Sequence, residues 1–266
     1  MWEHDAVIGV PHVVEDLVPW GIPLNYYPNG SPTMGKIKDI PVPDPADSMV
    51  TRETLKTVTI LANEVGSHTP VIGAMIAPFS LPSMIMGTGN WMELLMDAPE
   101  TREQYLDLLL HKCKKYVIEW ARKLVEAGAT IIVIADGMAS QSVITRALFE
   151  RYALPIIKET IAGISVPIVY EAVGSAEGII DLIATTGAVC VTLDYKDDLK
   201  RCKQKANGKI GIMGNSNNIE MLYWSATKMR LEFAKQWTKL RKAMGLYYHR
   251  SLLKFHMMYH WTSLDQ

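Results

Sequence analysis

WARKLVEAGATIIVIADG, residues 120–137, decides the fold. Its first half repeats apolar residues at helical spacing, Trp120, Leu124 and Val125 among them, and Gly128 stops the helix. The next residues switch to an unbroken β-branched run, Thr130–Ala135, which ends in Asp136. A strand apolar at every position is buried on both faces. Helix, glycine stop and such a strand make one unit of a parallel sheet covered by helices.

The same unit recurs on both sides. Upstream, Thr101–Ala127 reads as one long amphipathic helix, with Tyr105, Leu108, Leu109, Tyr116, Val117, Trp120, Leu124 and Val125 on its apolar stripe. Trp91–Asp97 is a short helix, Val71–Ala77 a buried strand between Pro70 and Pro78, and Thr51–Val65 a helix stopped at Gly66. Downstream come helix Arg146–Ile161, expected to kink at Pro155, strand Pro167–Tyr170, helix Ala176–Thr185 and strand Val189–Leu193. Helix Lys196–Lys205, strand Ile210–Met213 and helix Ile219–Trp224 follow. The first 50 residues hold eight prolines and read as irregular, apart from the apolar stretches Ala6–Val10 and Val13–Val18. So long an irregular opening places the expected true start upstream.

A (β/α)8 barrel and an open doubly wound sheet both fit this alternation. No G-x-G-x-x-G follows the first clear strand and no G-x-x-x-x-G-K-[ST] occurs, which disfavours the nucleotide-binding open sheets. In a barrel the site sits at the C-terminal ends of the strands. Those ends are polar here: Asp136, Glu171, Asp194 and Asn215. Three acids at equivalent points of successive units predict an acidic mouth able to bind metal or move protons. The bland alternative is that each acid caps a helix or holds a loop.

Composition narrows the function. The 266 residues are 48% hydrophobic and 21% charged, the balance of a globular chain. Lys plus Arg number 27 against 28 Asp plus Glu, so no basic surface points to nucleic acid or an anionic membrane. No apolar run approaches the roughly 20 residues that span a bilayer. Cys113, Cys190 and Cys202 form no disulfide framework and fit a reducing cytoplasm; each reads as a buried structural thiol. No C-x-x-C is present. The segment PFSLPSMIMG, 78–87, reads as a loop past a strand end, either walling a large apolar ligand or packing in the core. The turn Gly214–Asn218 precedes a helix and is a weak anion-site signal.

Three segments carry a resemblance: 71–87 (VIGAMIAPFSLPSMIMG), 120–160 (WARKLVEAGATIIVIADGMASQSVITRALFERYALPIIKET) and 209–220 (KIGIMGNSNNIE). They resemble the uroporphyrinogen decarboxylase family, and within it the cobalamin-dependent methyltransferase branch, over roughly residues 7–226. The resemblance implies a (β/α)8 barrel. It implies methyl transfer between a small methylated substrate and the corrinoid of a separate corrinoid-binding protein. Members acting on a thiol use zinc held by a His-x-Cys motif and a later Cys. Here Glu171 stands at the His position and Val173 at the Cys position, a departure that removes a thiolate-rich zinc site and leaves Glu171 as the one candidate zinc ligand. The decarboxylase branch looks less similar, because its arginine-rich N-terminal signature is not found and its Asp-Ser-Trp is replaced by Asp136-Gly137-Met138.

The resemblance stops after Thr227, and 228–266 turns basic and aromatic, with His249, His256 and His260. Reading Met257–Thr262 with the codon frame moved by one position yields Asp-Val, then Ser or Pro, then Leu-Asp; with Pro this resembles the family's closing segment. We therefore expect a barrel domain over 1–227 that lacks the family's N-terminal segment and a frame-shifted tail over 228–266, giving a barrel incomplete at both ends. The expected activity is corrinoid-dependent methyl transfer in the cytoplasm, with uroporphyrinogen decarboxylation or an inactive barrel fragment as alternatives. Candidate catalytic residues are Glu171, Asp136 and Asp194. Phe79, Met138, Tyr170 and Asn215 are candidate substrate contacts.

Overall fold

The computed structural model describes residues 6–9, 14–21, 24–26, 32–34, 41–96 and 99–243. His249, His256, His260 and residues 244–266 of the expected frame-shifted tail lie outside them, whereas 228–243 of that tail are described. Six parallel strands form one sheet: β1 (Val7–Ile8), β4 (Val71–Ile76), β5 (Ile131–Asp136), β6 (Ile168–Ala172), β7 (Cys190–Thr192) and β8 (Gly211–Met213), paired in that order. β2 (Leu24–Tyr26) and β3 (Pro32–Met34) form a separate antiparallel pair. Each new strand adds on the same side of the last. A doubly wound sheet reverses direction at a switch point; this one does not, so the architecture is a (β/α) barrel, incomplete at six strands among the described residues.

The helices follow the strands. α1 (Met49–Val65) starts at Ser48, whose hydroxyl accepts the Thr51 N–H at 3.1 Å. After β4 come α2 (Leu81–Met86), α3 (Thr88–Met96) and the long α4 (Pro99–Glu126). The segment 78–87 is thus a helix, not a loop. Pro82 sits in the first turn, where no intrahelical N–H is needed, and Leu81, Pro82, Ser83 and Ile85 are buried. On α4 the buried stripe is Leu106, Leu109, Leu110, Cys113, Tyr116, Val117, Trp120, Ala121 and Leu124. Tyr105 and Leu108, expected on that stripe, are 43% and 53% exposed. The stripe is set one residue away from the expected one at its start, because Leu106 and Leu110 are one turn from each other and line up with Cys113 and Val117.

Beyond β5 the predicted Arg146–Ile161 helix has three parts: α5 (Arg146–Leu148), a π-turn at Phe149–Ala153, and α6 (Leu154–Ala162). The π-turn precedes Pro155 and widens the coil just where proline's missing N–H would leave a gap. α7 (Ile180–Ile183), α8 (Leu199–Ala206), α9 (Asn218–Met221) and α10 (Ala226–Ala243) complete the described chain. Asp198 caps α8, accepting the Arg201 N–H at 2.9 Å, and Asn207 ends it in the left-handed region.

Strand alternation gives the sheet two faces. The register pairs Ile132 with Ile168, Ile134 with Tyr170 and Asp136 with Ala172, and this set packs against the helices. The other set, with Val133 beside Val169 and Ala135 beside Glu171, faces the concave, barrel-interior side. There Ile131, Val133 and Ala135 are half-buried and Ile8 is 55% exposed.

Gly128 makes the α4-to-β5 turn with φ +111°, and a Cβ there would lie 2.4 Å from the Ala62 Cβ on α1. Both the conformation and the close approach require glycine. Gly128→Ala should lower the unfolding free energy by about 2–4 kcal/mol in urea titrations. A loss below about 0.5 kcal/mol would show that α1 and the turn separate at little cost.

Candidate functional site

β5 ends in Asp136, which is 0% exposed and lies on the helix-facing side of the sheet. One carboxylate oxygen accepts from the Ser80 hydroxyl at 2.5 Å and from the Ala139 N–H at 3.2 Å; the other accepts from the Tyr170 hydroxyl at 2.9 Å. Ser80 in turn accepts the Met138 N–H at 2.9 Å. Burial pushes the Asp136 carboxyl up to about 6, against these three donors, which favour its charged form. Burial and the neighbouring carboxylate hold the Tyr170 phenol well above its ordinary value, so it stays a donor.

Glu171, the next residue along β6, points the opposite way by alternation and is half-buried on the concave face. Burial raises its carboxyl above the ordinary glutamate range. Its register neighbour on β7 is Thr192. Two residues beyond Thr192, Asp194 follows the same alternation and is half-buried, and its carboxylate accepts the Lys196 N–H at 2.9 Å in a local turn. The mouth therefore does not gather the three acids: Glu171 and Asp194 follow the concave face, whereas Asp136 is turned into the helical layer.

The remaining predicted residues fall in different places. Phe79 is fully buried, edge-on to Trp91 with ring centroids 5.3 Å apart. Tyr170 is 1% exposed beneath Asp136. Met138 is half-buried at the start of the β5 loop. Asn215 is buried, and its amide donates to the carbonyls of Asp194 and Asp197 at 2.8 and 2.7 Å, tying the β8 loop to the β7 loop.

Three residues that hold this rim are absent from the sequence-derived set. Asp197 is 4% exposed and accepts from the Ser175 hydroxyl at 2.7 Å and from the Ala176 and Glu177 N–H groups, so it clamps the β6 loop. Gln141 accepts the Gly178 N–H at 2.6 Å, joining the β5 loop to the same segment. Ser80 is the third. Asp197 was detectable as a second acid three residues past Asp194; nothing local to Ser80 marks it. Cys113 and Cys202 are buried, as expected, whereas Cys190 is half-buried with its Cα opposite Val169, on the concave face. Burial pushes the Cys190 and Cys202 thiols up to about 11 and about 12.

Among the described residues, no group of three or more His, Cys, Asp or Glu side chains could hold a metal ion. The residues around Glu171 thus do not fit a zinc site of the expected kind. No helix among the described residues is long and apolar enough to cross a membrane.

A parallel barrel with a polar rim at its strand C-termini defines the class: a TIM-type scaffold with its site at the mouth. Residues 1–243 match the family model for uroporphyrinogen decarboxylase (URO-D), and the chain belongs to that family. It is 32% identical over 185 residues to the methylcobamide:CoM methyltransferase MtbA of Methanosarcina mazei, covering 68% of this chain and 52% of that protein. It is 28% identical over 247 residues to a uroporphyrinogen decarboxylase of Koribacter versatilis, covering 86% and 67%. A solved methyltransferase from Methanosarcina mazei superposes with TM-score 0.70 at 23% identity, over 79% of this chain and 64% of that one, and shares the fold. The chain spans about half the length of the MtbA relatives it matches. The family expected from 71–87, 120–160 and 209–220 is the family found.

Asp136 sets a pH dependence. Its folded-state carboxyl is raised above the unfolded value of 3.8 to about 6, so folding favours the protonated form. That contribution is fully present below the unfolded value and is lost as pH rises through about 6. The span corresponds to about 3 kcal/mol. Asp136→Asn offers an amide oxygen to Ser80 and Ala139 and an N–H to the Tyr170 oxygen. Wild-type stability relative to this variant should fall by up to about 3 kcal/mol between about pH 4 and about pH 7, then level off. A difference independent of pH in chemical denaturation would refute the buried titration.

Proposed function

We propose that this chain acts as a corrinoid-dependent methyltransferase, moving a methyl group between a small methylated substrate and the corrinoid of a partner protein. The observation that carries the reading is the 32% identity to MtbA over 185 residues, 68% of this chain. The corrinoid of the partner would supply the cobalt that gives or takes the methyl group. The chain's own residues would do the rest. Glu171 stands on the concave face with a carboxyl that burial raises above the ordinary glutamate range, which favours a proton-transfer role. When the substrate heteroatom loses its methyl, it becomes a poor leaving group unless it gains a proton; Glu171 would give that proton, or take one from an acceptor in the reverse direction. Asp194 and Asn215 would orient the substrate at the rim, and Met138 would give it an apolar wall. Phe79 would act from beneath, by fixing the loop behind the site.

Among the described residues Glu171 belongs to no group that could hold a metal, and no step here runs through zinc. Methylated ethers or amines suit a proton donor better than thiols do, because their leaving atoms are strongly basic. The domain over 1–227 would hold these groups, with 228–266 outside the proposed site.

The test is methyl transfer from methylcobalamin to a panel of alcohols and amines, or its formation from cob(I)alamin and the corresponding methyl ethers and methylamines, followed by absorbance. Turnover is expected, and Glu171→Gln should reduce it by about 10²-fold or more with unfolding unchanged. No methyl transfer together with carbon dioxide release from uroporphyrinogen would overturn the proposal in favour of the decarboxylase activity of the other relatives.

A further inference from the structure

Ser80, Asp136 and Tyr170 come from three consecutive strand ends and meet at one carboxylate. Ser80 lies four residues past the end of β4, just before α2, Asp136 ends β5, and Tyr170 is the third residue of β6. All three are buried, and every polar atom among them has a partner: two donors on one Asp136 oxygen, one on the other, and the Ser80 oxygen itself taken by the Met138 N–H. No charged group takes part besides Asp136.

Position matters more than chemistry here. Tyr170 and Glu171 are adjacent on β6 and point to opposite faces. A hydrogen bond that fixes Tyr170 toward the helices fixes Glu171 toward the concave side. The same carboxylate holds Ala139 and, through Ser80, Met138, so the start of the β5 loop is set relative to β6. We infer that Ser80, Asp136 and Tyr170 form a positioning network that sets Glu171 on the concave face and the Met138 turn beside it. The inference rests on the reading of Glu171 as the proton-transfer group, but its geometry does not. Asp136 and Tyr170 act through Glu171; they are positioning residues and touch no substrate.

The experiment is the titration of Glu171 in the whole chain, followed by the side-chain carboxyl 13C signal and assigned with Glu171→Gln. Tyr170→Phe keeps the ring and removes only the hydroxyl. In this variant the Glu171 titration should move toward the ordinary glutamate value by about half a pH unit or more, because the strand is freer to turn the carboxyl into water. Ser80→Ala should move it in the same direction by a smaller amount. Asp136→Asn, which retains partners for Ser80, Ala139 and Tyr170, should leave it near the wild-type value; this rescue separates positioning from bulk stability. Should Tyr170→Phe fail to fold, Ser80→Ala against Asp136→Asn carries the same comparison. An unmoved Glu171 titration in folded Tyr170→Phe and Ser80→Ala, with only the unfolding midpoint lowered, would overturn the inference and leave the network structural. The titration is read without turnover, so a chain inactive toward methylcobalamin refutes the methyl-transfer reading alone.

Discussion

Neighbouring strands of the main sheet all pair in parallel, and each return requires a helix on the same side. That constraint generates the rest. It makes one face of the sheet a continuous contact with α1, α4, α6 and α8, where Val58, Trp120, Ile157 and Cys202 are buried. It leaves the opposite face to the barrel interior, and it puts every strand's C-terminus on one rim. The polar groups of the rim are then free to tie loop to loop: Gln141 to Gly178, Ser175 to Asp197, Asn215 to Asp194 and Asp197. These bonds satisfy backbone groups that loops would otherwise leave unpaired at the edge of a packed core.

Much of this was legible in the chain because it rests on periodicity. Short apolar runs rich in β-branched residues marked β4, β5 and β6, and glycines such as Gly66 and Gly128 marked the turns. The strand-end rule placed Asp136, Glu171, Asp194 and Asn215 correctly along the chain. What periodicity does not carry is direction. Asp136 and Glu171 are both strand-end acids, yet one is enclosed by Ser80 and Tyr170 and the other faces the concave side. Their different fates depend on register across strands 35 residues apart in the chain, which no local pattern encodes. The helix at 81–86 was hidden for a related reason. Pro78 and Pro82 read as loop markers, but proline in a first helical turn costs nothing.

The site also illustrates what a strand end can hide. A fully buried carboxylate costs several kcal/mol unless it is well bonded or protonated. Asp136 has three donors, yet burial still pushes its carboxyl up to about 6, so the donors do not fully replace water. Natural cores tolerate such a group where it fixes one arrangement among several. Here the arrangement fixed is the order in which three strand ends meet.

The alternation of Tyr170 and Glu171 has a further consequence for how this family can change. Side chains on a strand repeat every two residues, so inserting or deleting one residue inside β6 would exchange the two faces, exposing the phenol and burying the acid in the helical layer. Substitution at either position alters one face at a time, whereas a length change corrupts both together. A change in length is therefore costly inside β6 in a way that a side-chain exchange at fixed spacing is not.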